Sequence, residues 1–142
     1  MNGVKLSALK TSDKLENEGA ELEYENGLTF LVGRMGSNKN EQYKKTVDQK
    51  LQLRVANEYA TEDETIDYLV DILANSILLG WDNLLDDDGK PIPFTIAKAK
   101  EILKEYKDIR GDVYAFCTNR KNYYNANIDE ETANLSNALN GQ

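Results

Sequence analysis

The chain has 142 residues, enough for one domain with its own core, and its 40% hydrophobic and 30% charged residues suit a globular protein. With 25 Asp and Glu against 17 Lys and Arg the net charge is −8, which argues against general nucleic-acid binding and against docking on anionic lipid, both of which draw on cations. There is no histidine, so the commonest general base and metal ligand is missing and Ser-His-Asp and Cys-His nucleophile systems are excluded.

The opening stretch, residues 1–19, is polar and weakly periodic, and it reads as a flexible arm that orders on a neighbour. Met1 to Lys10 lacks the apolar core of a signal peptide. The longest apolar run, Ile77 to Leu79 and on through Gly80 to Trp81, is too short to span a bilayer. A lone Cys117 excludes an internal disulfide and fits a reducing cytoplasm.

Leu22 and Tyr24 alternate with Glu21 and Glu23, which is strand period. Asn26-Gly27 then predicts a type I′ turn, and Leu28, Phe30 and Val32 share one face of a returning strand. This hairpin needs support, because two strands alone are marginal. After Gly33 to Asn38, the pairing of Asn38 with Glu41 predicts a helix start. Tyr43, Val47, Leu51 and Val55 fall at steps of four and predict one continuous helix to Val55. From Lys39 to Arg54 there are five cations and two acids, a local basic patch on an acidic protein.

Thr61 to Glu64 has the form of a capping box, with Glu62, Asp63 and Glu64 suited to the positive end of the helix dipole. Ile66, Leu69, Val70, Leu73, Ala74, Ile77 and Leu78 follow as the clearest amphipathic stripe in the chain. Its six large members contribute roughly 10–15 kcal/mol of gross burial before chain entropy is subtracted. We read this as the core helix, ended by Gly80. Asp86 to Gly89 and the two prolines of Pro91-Ile-Pro93 predict a hairpin-like excursion over 84–94 that returns Phe94 to Trp81. Thr95 caps the next helix, with Ile96, Ala99, Leu103 and Tyr106 inward. Asp108 is placed to cap the last one, with Ile109, Val113, Phe116 and Cys117 inward. From 125 to 142 the chain forms an Asn-rich tail in which 128–139 has the pattern of a short helix.

The residues with chemical potential read blandly. Setting Gly89 at the sixth position of an EF-hand loop puts Leu84 first and Thr95 twelfth, so neither end supplies a ligand. Gly33 to Gly36 lacks the spacing of a phosphate loop. Cys117 sits on an apolar helix face, and Asp67 and Asp71 lie on a solvated one. No catalytic, cofactor or metal site is expected. The eight tyrosines suit a protein interface, although most fit the edge of the core equally well. The candidate contact residues are Tyr43, Lys44, Lys45, Lys50 and Tyr59 on the basic helix, with Tyr123 and Tyr124 near the end.

Gly27-Leu-Thr-Phe-Leu-Val-Gly-Arg34 before a Lys-rich helix, then Leu79-Gly-Trp-Asp-Asn-Leu84, Asp87-Asp-Gly-Lys-Pro-Ile-Pro-Phe94 and Ala99-Lys-Glu-Ile-Leu103, resemble the tail assembly chaperones of siphophage-type viruses and prophages. The likeness spans roughly residues 12–124. It implies a non-enzymatic protein without cofactors that acts in the host bacterial cytoplasm. It would bind the tape measure protein, help recruit the tail tube protein, and be absent from the mature virion; self-association is left open. The alternatives are a structural virion component, such as a head–tail connector or tail-completion protein, and, behind it, an acidic mimic of nucleic acid or a small enzyme. The expected fold is mostly α (α+β): a flexible arm over 1–19, a single helical domain over 20–124 with an N-terminal β-hairpin and a hairpin-like turn before a C-terminal helix pair, and the tail.

Overall fold

A computed structural model describes residues 2–124. The expected tail over 125–142 lies outside the described residues. The fold is α+β, with a three-stranded antiparallel sheet near the N-terminus and six α-helices among the described residues. A single 3-10 turn at Leu6–Leu9 precedes α1 (Asp13–Glu18), which Ser12 caps by accepting from the Leu15 N–H at 3.2 Å. Residues 11–18 are therefore fastened, against the expectation of a loose arm. The Ser12 N–H donates to the Tyr123 carbonyl at 2.7 Å, and the Arg34 guanidinium meets the Glu16 carboxylate at 3.1 Å.

β1 (Ala20–Glu23) pairs with β2 (Thr29–Val32), with Leu22 opposite Phe30 as the alternation requires. The turn between them differs from expectation. Only Gly27 takes positive φ, at 82°, and Asn26 does not. The Gly27 N–H bonds the Tyr24 carbonyl and the Tyr24 N–H bonds the Leu28 carbonyl at 2.8 Å, which is a three-residue loop closed by a left-handed glycine rather than a type I′ turn.

The basic segment is two helices, α2 (Asn38–Lys44) and α3 (Gln49–Ala56). Spacing alone missed the stop signal between them. Thr46 turns its hydroxyl back to the Tyr43 carbonyl at 2.7 Å, and Asp48 caps α3 by accepting from the Lys50 N–H at 2.9 Å; both side chains offer the backbone an alternative to helix. Gln52 braces the corner through the Lys44 and Val47 carbonyls. The start also moves: Ser37, rather than Asn38, is the cap, accepting from the Asn40 N–H.

α4 (Glu62–Ile72) opens with the expected capping box, both bonds present. The helix widens into a π turn over Leu73–Ile77 and then becomes β3 (Leu78–Asp82), which pairs antiparallel with β2. Leu78 and Gly80 thus belong to a strand, not to a helix end. The hairpin gains its third strand here, and β2 becomes the central one. The excursion forms as expected: Leu85 bridges Pro91, Gly89 takes φ of 79°, and Trp81 meets Phe94 edge-on at 4.8 Å. α5 (Ile96–Glu105) is capped by Thr95. α6 (Lys107–Cys117) starts with no side-chain cap, so Asp108 lies within its first turn instead of capping it.

The core lies between the sheet and the helices. Phe30, Val32, Leu73, Ala74, Ile77, Leu78, Ala99, Leu103, Val113 and Cys117 are buried, with Trp81, Phe94, Ile109 and Phe116 packed at its edge. Ile96 and Tyr106, the ends of the α5 stripe, are exposed. Ile72 and Ser76 are buried off the predicted α4 stripe, because the opposite side of the π turn is also covered. There the buried Asn40 donates to the Ser76 hydroxyl at 2.9 Å and accepts from the Gly36 N–H at 2.9 Å.

Candidate protein-binding surface

The corner between α2 and α3 stands over α4 and the side of α6. Between them runs a groove of about 420 Å³ lined by Met35, Lys44, Val55, Thr65, Tyr68, Leu69, Ile72 and Tyr114. Most of that lining is apolar or aromatic, and Lys44 is its only charged member. Val55 reaches the groove because α3, freed from α2 by the break, leans on α4. Tyr114 flanks the buried face of α6, one turn before the buried Cys117, and is 46% exposed. An open cleft of this composition can hold the apolar side chains of a partner, with polar tips at its rim.

The rim is charged. Lys44 lies 3.4 Å from Glu41, and Arg54 pairs with Glu64 across α3 and α4. Lys45 and Lys50 are exposed and form no ion pair with another described residue. Burial foremost, then Asp71 and Glu41, push the Tyr68 hydroxyl above its ordinary pKa, so it remains a neutral group at the groove wall.

The other expected contact residues divide. Tyr43 is half-buried and its hydroxyl donates to the Asp71 carboxylate, 2.9 Å from each oxygen. Burial and that bond raise its pKa to about 12. Asp71 also accepts from Asn75 and pairs with Lys100 at 3.1 Å, so Tyr43 ties α2 to α4 and α5. Tyr59 lies beyond the end of α3, after Glu58 at positive φ, and is 82% exposed. Tyr123 is fully buried, its hydroxyl donating to the Val32 and Gly33 carbonyls. That placement makes Tyr123 a core residue, a correction to its reading as a contact. Tyr124 is half-buried and bridges Thr11. Neither lines the groove.

Periodicity gave no sign of Met35, Tyr68 or Tyr114 as groove residues. The available hint was aromatic: Tyr68 and Tyr114 fall off the apolar stripes of their helices, where a large ring marks a contact surface. The acidic turn is self-contained, since the Asp86 carboxylate accepts from the Asp88 and Lys90 N–H groups at 2.9 Å each. Among the described residues no group of three or more His, Cys, Asp or Glu could hold a metal ion, and no helix is long and apolar enough to cross a membrane.

A family model described as YdaY prophage protein matches residues 35–134. That span takes in every residue lining the groove and leaves β1 and β2 outside. No curated protein and no solved structure matches the chain.

Proposed function

The chain belongs to the YdaY prophage protein family, and from that premise we propose that it is a tail assembly chaperone. In this reading it is not an enzyme. It binds the tape measure protein, helps recruit the tail tube protein, works in the host cytoplasm and leaves before the virion matures. The observation that carries the reading is the groove between α2, α3, α4 and α6. An apolar and aromatic lining with Lys44 as its charged member, on a chain of net charge −8, suits reversible capture of a long helical client. The charge supplies solubility and self-repulsion while the groove supplies contact. The absence of histidine and the resemblance around Trp81 and Phe94 support the same reading.

The test is co-expression with the tape measure and tail tube proteins of the same prophage. Wild-type protein is expected to co-purify with the tape measure protein. The triple substitution Lys44→Glu, Lys45→Glu, Lys50→Glu should cut that recovery about tenfold or more while leaving the melting temperature in place. Undiminished recovery removes these lysines from the mechanism, and no recovery with the wild type removes the chaperone reading. Mass spectrometry of purified particles separates the alternative: a stoichiometric signal makes the protein a virion component.

A further inference from the structure

Among the described residues, Val4, Leu6 and Leu9 are exposed large apolar side chains of the first ten residues. Val4 is 73% exposed, Leu6 84% and Leu9 48%, and no residue of the Leu6–Leu9 turn is buried. Their spacing is that of a strand: Val4, Leu6 and Ala8 alternate with Lys5 and Ser7. Among the described residues β1 pairs only with β2, which leaves its other edge open. Ala20 and Leu22 lie in the hydrogen-bonded positions of that pair, in step with the Tyr24 to Leu28 bond. The N–H and C=O groups of Glu21 and Glu23 therefore point outward. Beside this edge lies an open groove of about 480 Å³, where Leu22, Tyr24, Ala115 and Phe116 supply the apolar and aromatic lining and Asp112, Asn119 and Asn122 the polar part.

We propose that residues 4–9 of a second copy add to the β1 edge as a fourth strand, and that the exchange is reciprocal, giving a two-fold dimer. Both faces of the added strand match what they meet. Val4, Leu6 and Ala8 cover the groove beside Leu22 and Phe116. Lys5, on the opposite face, lies among Glu21, Glu23 and Glu25, three acids within five residues. The arm gives up little to do this, since its single 3-10 turn buries nothing. Arm and edge both lie outside the span matched by the family model, and this inference is independent of the proposed role in tail assembly.

Sedimentation of the full chain over about 1–100 µM reads the association, a range suited to a small interface. A dimer is expected whose Kd rises at least about tenfold with Leu6→Asp. Lys5→Glu and Glu21→Lys should each weaken it, and the two together should restore it. Amide exchange at Glu21 and Glu23 should slow as concentration rises. All these positions are exposed, so an unchanged melting temperature confirms that the variants fold. A chain that stays monomeric throughout overturns the proposal, as does a dimer indifferent to these changes. Protection of the Glu21 and Glu23 amides that does not vary with concentration also overturns it, placing the arm on its own edge.

Discussion

Tyr123 shows how one side chain joins parts of the chain that the sequence leaves far apart. Its hydroxyl lies 3.1 Å from the Val32 carbonyl and 3.0 Å from that of Gly33, where β2 ends, and its ring meets Phe116 edge-on at 5.9 Å. The Arg34 guanidinium stands over the same ring at 6.0 Å. Tyr123→Phe keeps the packing and removes the buried O–H shared between the Val32 and Gly33 carbonyls. It should cost about 1–3 kcal/mol, read as a lower urea midpoint at unchanged slope. A midpoint equal to wild type would mean that water replaces the hydroxyl. The aromatic character of residues 123 and 124 was legible in the sequence, but their burial was not. A Tyr-Tyr pair near the end of a helix suits an interface and a core equally, and only the path of β2 beneath it decides.

At the scale of elements, the informative place is the passage from α4 to β3. An apolar stripe at helical spacing runs unbroken through Leu78, yet the helix ends at Ile72, widens over Leu73–Ile77, and hands over to a strand. Ser76 Oγ donates to the Ile72 carbonyl at 2.8 Å, inside the widened turn, and the Gly33 N–H takes the Ile77 carbonyl at 2.7 Å. The unpaired side of β2 offers a full row of backbone partners, and that outweighs one more helical turn. Trp81 fastens the result: it meets Phe30 at 6.2 Å and Phe94 at 4.8 Å, and its Nε1 donates to the Ile92 carbonyl at 2.7 Å. Trp81→Ala should therefore destabilise by about 2–4 kcal/mol, while Trp81→Phe, which loses mainly the hydrogen bond, should cost about 1 kcal/mol. Thermal unfolding of the two variants checks the ratio; equal losses would assign the effect to the hydrogen bond alone.

Across the whole molecule, buried hydroxyl and thiol groups set the response to alkali. Burial lifts the Cys117 thiol from its ordinary 9.0 to about 11, only partly offset by backbone hydrogen bonds. Burial also lifts Tyr43 to about 12, and Tyr24 and Tyr123 are raised in the same way. Each folded-state pKa stands above its unfolded value, so the unfolded chain releases protons first as pH rises. The contribution of these groups is complete below about pH 9 and is lost progressively through about pH 11 and beyond. Urea midpoints measured against pH should be level up to about pH 9 and then fall. Cys117→Ala should flatten the first part of that fall, and an unchanged fall would exclude the thiol as its source. The charge pattern acts at the same scale: a chain of net −8 carries five cations and two acids over Lys39 to Arg54, and of these Lys44 lines the groove.

The sequence by itself determined what short-range chemistry controls. The capping box at Thr61 and Glu64, the Thr95 cap, the turn through Gly89, the middle of the α5 stripe at Ala99 and Leu103 and the buried face of α6 depend on residues within a few positions of one another. The pairing of Trp81 with Phe94 followed from the prolines between them. Tertiary structure alone decided the third strand, the closing of Tyr43 onto Asp71, and the groove shared by Met35, Lys44, Tyr68 and Tyr114. Each of these rests on a partner distant in sequence, and an apolar or aromatic residue carries no local mark of which partner will cover it.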